Sequence, residues 1–357
     1  MDPISQGVVG AAAAQLAPAH MKPQRAWLYG ALGGMAADLD VLIRSTSDPL
    51  LQLEYHRHFT HGLAFAPLGG AIVALPFLWA RTAGKIHRRP DALMVLLSCI
   101  IGYVTHGLLD LCTSYGTVVL WPFTDKRFAL DWISIVDPIF TLPLCAGVLL
   151  TQRRAQKRFL LVALCLSFGY LCLGAFQHGR AVDAQQQLMA HRSLESIHGR
   201  VMPSLASIRT WRSVSKYVDK NGETRLIADL VQTPLFGETR VIEGSTIRAL
   251  EVQAEPILVE REQIRRDIER FQFFSDGLLA RLPTEPTLIG DMRYSIEPAA
   301  FQPLWGLRID ESSEGPKLSF IRRDAQQDPN KLLKRIWNQP LGVPLSEIIS
   351  SDPLVTP

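Results

Sequence analysis

Long apolar stretches constrain this chain more than any other feature. Four stretches of mostly apolar residues occupy the first half of the sequence, at 62–82, 92–112, 133–151 and 159–177. A helix needs about 20 such residues to cross the hydrocarbon of a bilayer. Two weaker stretches precede them, at 4–17 and 26–43. We therefore expect an all-α helical membrane domain with about six apolar segments.

The chain changes character near residue 180, after which charged side chains become frequent. Two segments that alternate apolar and polar residues, 208–217 and 224–231, flank Lys220-Asn221-Gly222, which predicts a β-hairpin. The other elements predicted for this half are a polar helix at 180–198, an amphipathic helix at 260–282 and strands at 287–296, 304–309 and 318–322. We expect a membrane domain over 1–180 and a smaller soluble α+β domain over 181–357.

Charge and cysteine usage narrow the function. The formal net charge of +3 is too small and too scattered to indicate a nucleic-acid partner. The five cysteines all lie in the apolar half and none forms a CxxC pair, so neither a disulfide framework nor a thiolate zinc site is indicated. The expected partners are membrane lipid and a small-molecule or lipid substrate, and the sequence leaves the oligomeric state open.

Residues 56–61 read His-Arg-His-Phe-Thr-His and come directly before an apolar stretch. Neutral imidazole is the commonest protein ligand for zinc-like ions, so this run predicts a metal site at one membrane surface. If the following helix began this early, His58 and His61 would lie one turn apart, whereas His56 and His58 would diverge. We therefore predict His56 and His61 as ligands, with His58 as a further candidate. Polar residues that merely cap a span are the alternative.

Further candidates lie beside other apolar segments. His106 and Asp110 are four residues apart, so on a helix both can reach one ion, or they can form a structural hydrogen bond with each other. We predict Asp110 both as a ligand and as a catalytic residue. Asp38 and Asp40 end an apolar segment and could bracket a divalent ion, although helix capping by one of them is the alternative.

Three further residues complete the set of candidates. Asp2 is a candidate ligand. Asp137, which Pro138 follows, is expected to cap a helix. Arg57 has no obvious charge partner in the sequence, and beside a metal it could hold an anionic substrate oxygen as a catalytic residue; binding of a lipid headgroup without catalysis is equally open.

Lysine and arginine in the loops predict orientation. They are concentrated in three alternate loops, namely Lys22 and Arg25; Arg81, Lys85, Arg88 and Arg89; and Arg153, Arg154, Lys157 and Arg158. We expect these loops to be cytoplasmic, and both termini, the candidate ligands and the soluble domain to lie on the non-cytoplasmic side. Charged groups near hydrocarbon usually face a bundle interior or an aqueous cavity, so their gathering at one end favours a site.

Several motifs occur in a characteristic order: Asp2-Pro-Ile-Ser-Gln-Gly7, Asp38-Leu-Asp40, His56-Arg-His-Phe-Thr-His61, Thr105-His-Gly-Leu-Leu-Asp110 and Thr113-Ser-Tyr-Gly-Thr117. Over about residues 1–180 the chain resembles the bacterial YdjM/YbcI family, whose members are described as inner-membrane, metal-dependent hydrolases. The resemblance implies a helical domain in the bacterial inner membrane and a hydrolase activity. Two positions depart from it, since many members have proline at the position of Ala37 and serine at that of Gly62.

The leading expectation is a multi-pass membrane hydrolase with one or two divalent ions, zinc or manganese. A metal-activated water would attack an ester or phosphoester, derived from lipid or envelope. The alternative is a non-enzymatic membrane protein, such as a metal or proton transporter or an envelope assembly factor. A transporter should place ionisable residues near the bilayer midplane. Here they fall at segment ends, which favours a surface site.

Overall fold

A computed structural model describes residues 1–16, 23–82, 91–254, 262–295, 297–312 and 315–323. The chain divides into two compact units, Met1–Phe176 and Gln177–Pro357. The first unit is helical, and the second is built on antiparallel β-sheets.

Seven α-helices and two short 3-10 turns are described up to residue 191. The helices are α1 (Pro3–Gln15), α2 (Pro23–Ala36), α3 (Leu51–Tyr55), α4 (Ala66–Thr82), α5 (Ala92–Leu111), α6 (Pro138–Arg154) and α7 (Arg158–His191), and the 3-10 turns are Ala37–Leu42 and Phe59–His61. Asp137 accepts hydrogen bonds from the amides of Ile139 and Phe140 at the start of α6, which confirms its predicted capping role.

Only some of these helices are long enough to cross a membrane. Among the described residues, α5 with 20 residues and α7 with 34 qualify, and a third crossing exists if the segments Leu51–His61 and Ala66–Ala80, bent by 90°, count as one span. The expected six membrane segments are therefore not supported. Helices α1 and α2 have 13 and 14 residues, hence about 20 Å of length against about 30 Å of hydrocarbon. Helices α4 and α6 have 17 residues each, and each contains an internal proline.

Glycines allow three of the helices to approach closely. A Cβ at Gly30 would lie 2.3 Å from the carbonyl oxygen of Gly10, and a Cβ at Gly102 would lie 2.1 Å from that of Gly30. Helices α1 and α5 therefore both contact the backbone of α2, as small-residue packing between membrane helices permits. This packing brings the end of α2 next to the end of α5.

The described residues of the second unit form two antiparallel sheets, a 3-10 turn (Val252–Ala254) and one α-helix besides the end of α7. Strands β1 (Ser196–Pro203), β2 (Thr210–Val218), β3 (Thr224–Gln232) and β4 (Arg240–Ile242) pair in chain order, and β5 (Thr246–Arg248) also pairs with β3. After α8 (Glu262–Phe274), strands β6 (Leu279–Leu282), β7 (Glu285–Asp291), β8 (Trp305–Ser312) and β9 (Gly315–Arg322) form the second sheet. The buried core includes Val214, Leu226, Leu278 and Leu288.

The predicted hairpin is confirmed, because β2 and β3 pair around a turn in which Gly222 has φ +80°. Two predicted helices are longer than the observed ones. Helix α7 ends at His191, so residues 196–203 form a strand instead of continuing the polar helix. Helix α8 ends at Phe274, and Gly277 with φ +71° precedes strand β6. Residues 17, 260, 261 and 296 of the predicted elements lie outside the described residues.

Candidate metal centre

Four ionisable side chains meet where the ends of α2 and α5 face the turn before α4. Asp38 lies on the first 3-10 turn, His61 ends the second, and His106 and Asp110 lie in the last turns of α5. Each offers one ligand atom, and the four atoms all lie within 4.8 Å of one another. Three of the side chains are fully buried and only that of Asp38 is partly exposed, at 21%. We call these four residues the Asp/His cluster.

The spacing of the ligand atoms matches the size of a metal site. The two Nε2 atoms, of His61 and His106, are 2.9 Å apart. They lie 3.5 and 3.4 Å from Asp38 Oδ1, and 3.3 and 3.5 Å from Asp110 Oδ2. Ligand atoms about 2.0–2.1 Å from a tetrahedral ion are about 3.3–3.4 Å from one another. The four atoms thus have nearly the spacing that one small cation requires.

The hydrogen bonds around the two histidines indicate which nitrogens are free to bind. His106 Nδ1 lies 2.6 Å from the carbonyl oxygen of Gly34, which can only accept, so this nitrogen carries the hydrogen. His61 Nδ1 faces the Asp40 carboxylate at 3.3 Å. In the neutral imidazoles the lone pairs are then on the two Nε2 atoms, which point at each other. In that form both Nε2 atoms can donate a lone pair to one cation.

One carboxylate oxygen of the cluster gives a second indication. Asp110 Oδ2 is buried and makes no hydrogen bond, although Arg57 Nε lies 3.1 Å away. Its other oxygen accepts from Gln6 Nε2 at 2.8 Å and from the amino group of Met1. Buried carboxylate oxygens normally have partners, so an orphaned one aimed at two imidazoles fits a divalent ion. The residues present therefore suit the metal that the sequence predicts.

Asp40 lies behind the cluster and orients two histidines. Its Oδ1 is 2.7 Å from His56 Nδ1, and its Oδ2 accepts from the backbone amide of Arg57 and the hydroxyl of Thr60, both at 2.9 Å. Asp38, Asp40 and His56 also form a second group whose ligand atoms lie within 4.8 Å of one another. The geometry therefore allows Asp40 either to position His61 or to contribute to a second ion.

Asp38 and Asp40 are carboxylates at neutral pH despite their burial. Burial by itself would raise their pKa values, but the neighbouring imidazoles of His106 and His61 hold the pKa of Asp38 well below its usual range. The pKa of Asp40 is likewise held low, by His56 and His61 against the effect of burial. Ionised carboxylates are the form that binds cations.

Arg57 has the charge partner that the sequence did not reveal. Arg57 is 4% exposed, and its Nε atom lies 3.1 Å from Asp110 Oδ2. One NH group donates to the hydroxyl of Thr113 at 2.8 Å, and the guanidinium lies 4.9 Å from the centre of the Tyr115 ring. Its role in binding substrate charge stays a prediction.

Asp2 and His58 lie outside both ligand groups found in the described part of the chain. Asp2 caps α1, accepting from the amides of Ile4 and Ser5. His58 Nε2 lies 3.5 Å from Asp125, and its side chain is 21% exposed. The helix that would align His58 with His61 does not form, because Arg57 has φ +59° and α4 begins only at Ala66.

Several residues of the site were missed by reasoning from the sequence. Gln6 and Thr113 contact Asp110, Thr60 contacts Asp40, and the carbonyl of Gly34 fixes His106. Gly107 has a spatial role, because a Cβ there would lie 2.4 Å from the carbonyl oxygen of His61. Gln6 and Thr113 belong to the ordered motifs, so those motifs contained a signal for them.

Together these features define a class: a membrane protein with a potential metal site buried at the end of a membrane-length helix. The model of the YdjM inner membrane protein family matches residues 1–181, which include the whole Asp/His cluster. The chain belongs to this family, as its motifs predicted.

Two curated relatives are similar to the helical half. The uncharacterized protein YfhP of Bacillus subtilis (strain 168) is 23% identical over 182 residues, which are 50% of this chain and 52% of YfhP. The inner membrane protein YbcI of Escherichia coli (strain K12) is 31% identical over 122 residues, or 34% of this chain and 66% of YbcI. The matched regions thus span less than two thirds of either relative. No solved structure matches the chain significantly.

Proposed function

We propose that this protein is a membrane-bound, metal-dependent hydrolase that cleaves an ester or phosphoester of a lipid or envelope component. The observation that carries the proposal is the convergence of His61, His106, Asp38 and Asp110 on one point with metal-ligand spacing. Mixed imidazole and carboxylate donors suit zinc or manganese. Such an ion, when bound, supplies Lewis acidity and activates water for attack on the ester.

The chain's own side chains would divide the remaining tasks. The Gly34 carbonyl and Asp40 hold the two imidazoles in the orientation that exposes Nε2. Arg57, buried beside Asp110, places a fixed positive charge where an anionic substrate oxygen would bind. Asp38 and His56, with side chains 21% and 19% exposed, are the least buried members of the two ligand groups, so substrate would approach from their side.

The position of the cluster supports a surface reaction over transport. Asp110 is the second-last residue of α5, whereas transporters usually bind their substrates near the middle of the membrane. If the purified protein binds metal but hydrolyses no ester, a non-enzymatic transport or assembly role would be favoured.

We also propose that the protein is multi-pass and that its cluster and second unit face the non-cytoplasmic side. Four basic residues lie between the end of α6 and the start of α7, namely Arg153, Arg154, Lys157 and Arg158, whereas Arg180 is the first lysine or arginine beyond the apolar part of α7. The basic residues before α5 include Lys85, Arg88 and Arg89, which lie outside the described residues. By the positive-inside rule both helices then run outward, so the chain must return across the membrane between them, and we propose that α6 does so although its 17 residues are at the short end of the range for a span.

Metal analysis with hydrolysis assays tests the function. Wild type, the His61→Ala/His106→Ala double variant and a His58→Ala control are purified in detergent, and bound zinc and manganese are measured by mass spectrometry. Hydrolysis of bis(p-nitrophenyl) phosphate and p-nitrophenyl butyrate is measured in parallel. We expect metal and activity in wild type and His58→Ala, and neither in the double variant. Equal metal in all three proteins would refute the site, and bound metal without hydrolysis would refute the enzyme.

Paired fusions test the orientation. Two reporters are fused separately after Pro357. Alkaline phosphatase becomes active only outside the cytoplasm, whereas green fluorescent protein does not fluoresce when it is carried across the inner membrane unfolded. We expect an active phosphatase and a dark fluorescent protein. The reverse pattern would overturn the proposed orientation and leave the metal site untouched.

A further inference from the structure

The loop after strand β3 exposes two apolar side chains. In residues 234–237, which we call the tip loop, Phe236 is 91% exposed and Leu235 is 49% exposed. Phe236 is more exposed than any other large apolar side chain described in either unit. Isolated exposed leucines are ordinary in soluble domains, but an adjacent leucine and phenylalanine at a loop tip call for an explanation.

The tip loop is held against α7 by hydrogen bonds to its backbone. Gln177 Nε2 donates to the carbonyl of Thr233 at 2.9 Å. The guanidinium of Arg180 donates to the carbonyls of Pro234 at 2.6 Å and Gly237 at 2.8 Å. These bonds secure the backbone on both sides of the two apolar residues. The tip loop therefore has a fixed position along α7, next to Gln177 and Arg180.

The tip loop is hydrogen-bonded to α7 at the point where the apolar part of this helix ends. Residues 159–176 contain no charged side chain, and Arg158 and Arg180 are the nearest charges on either side. Eighteen helical residues span about 27 Å, close to the roughly 30 Å of bilayer hydrocarbon. Gln177 and Arg180 thus lie where α7 leaves the hydrocarbon, and they are the residues that hold the tip loop.

We propose that Leu235 and Phe236 insert into the bilayer interface beside α7 and anchor the second unit to the membrane surface. The occupant of this surface is lipid because the tip loop is attached to a membrane-length helix at its boundary. Phenylalanine and leucine side chains occur on the apolar faces of segments that lie in the interface, where they contact acyl chains. The inference depends on α7 crossing the membrane and does not depend on the hydrolase activity.

Spin-label accessibility tests the anchor in the full chain. The five native cysteines, all unpaired, are replaced by alanine, and single cysteines are introduced by Phe236→Cys or Asn221→Cys and labelled with a nitroxide. Asn221 lies in the turn at the other end of the nine-residue strand β3, about 30 Å away. Each protein is placed in nanodiscs of phosphatidylethanolamine and phosphatidylglycerol, and collisions with oxygen and with a water-soluble nickel chelate are compared.

We expect oxygen collisions to dominate at position 236 and nickel collisions at position 221, so that the depth parameter changes sign between them. Because Phe236 is almost fully exposed, its replacement should leave the melting temperature of the cysteine-free background unchanged. The same nickel-dominated result at both positions would overturn the proposal. It would show that the tip loop lies in water and would leave a protein partner as the alternative occupant.

Discussion

Arg57 and Asp110 form an ion pair inside the helical unit, with Nε 3.1 Å from Oδ2 and side chains 4% and 0% exposed. A buried charge loses its hydration, and an opposite charge beside it offsets part of that free-energy cost. A buried charge without such a partner is strongly destabilising. The guanidinium therefore keeps the Asp110 carboxylate ionised and in place.

Replacing Arg57 should expose this dependence. In metal-free protein we expect Arg57→Ala to lower the free energy of unfolding by about 3–5 kcal/mol, the usual cost of breaking a buried pair. Arg57→Lys should lose less stability because lysine keeps the positive charge. A bound divalent ion also neutralises Asp110, so the loss should shrink in its presence. Thermal unfolding in detergent, with chelator and with added zinc, measures both values; an equal loss in the two conditions would contradict this account.

Asp40 should behave as a positioning residue for His61. We expect Asp40→Asn to bind a full equivalent of metal, but with about 10–100-fold weaker affinity, because asparagine lacks the negative charge that orients His61 Nδ1. Asp38→Asn removes a ligand atom and should weaken binding further. Competition with a chelating dye measures both affinities. If Asp40→Asn instead loses one of two bound equivalents, Asp40 is a ligand of a second ion.

Gly107 should be required for the approach of His61 to α5. A Cβ at this position would lie 2.4 Å from the His61 carbonyl oxygen, so Gly107→Ala must displace the turn that carries the histidine. We expect a loss of about 1–3 kcal/mol in stability, as for other overpacked sites, together with weaker metal binding. Gly169→Ala is the matched control, since nothing lies within 4 Å of its Cβ.

That control should be neutral or stabilise the protein by up to about 1 kcal/mol, because alanine favours a helix interior over glycine. Calorimetry and metal titration of the two variants give the comparison. Similar behaviour of the two would mean that the close approach at Gly107 is unimportant.

Asp276 in the second unit should make its stability depend on acidity. The His198 imidazole, 3.1 Å away, lowers the pKa of Asp276 most, and Arg200 at 3.0 Å adds to this against the effect of partial burial. A carboxyl whose pKa is lowered by folding stabilises the folded state above the pKa of the free side chain, about 4, and loses that contribution as pH falls further.

Asp276→Asn should therefore be less stable than wild type at pH 6, and the difference should shrink as the pH falls below about 4. The side chain is 41% exposed, so the difference should stay below about 1 kcal/mol. Asparagine also tolerates the left-handed backbone at this position, where φ is +57°. Denaturant unfolding of both proteins across this pH range provides the measurement, and a difference that does not vary with pH would argue against it.

The sequence predicted those parts of the site that depend on regular geometry. His106 and Asp110 lie on one face of α5 because four residues make about one helical turn, and their spacing could be read directly. The run at 56–61 could not be treated in this way. Its backbone leaves the helix at Arg57, whose φ is +59°, so the direction of each histidine is set by tertiary contacts. Hence the position of His58 beside Asp125 was not predictable from spacing.

The same distinction applies to the fold. The β2–β3 hairpin follows from a local turn signal, and it was predicted with nearly the correct ends. More membrane-length helices were predicted than the described residues contain, because apolar composition extends into helices that are shorter or that contain Pro76 or Pro143. Apolar side chains in those helices serve packing between neighbours as much as contact with lipid.

The ligands of the Asp/His cluster come from three separate elements, between Asp38 and Asp110. In an unfolded chain only the two ligands on α5 stay near each other, so the complete set exists only in the folded unit. Under the proposed function, ion binding and folding therefore draw on one equilibrium. A free ion concentration 1,000 times the dissociation constant would add about 4 kcal/mol to stability. The amount of this protein that survives in the membrane would then follow the cell's access to that metal.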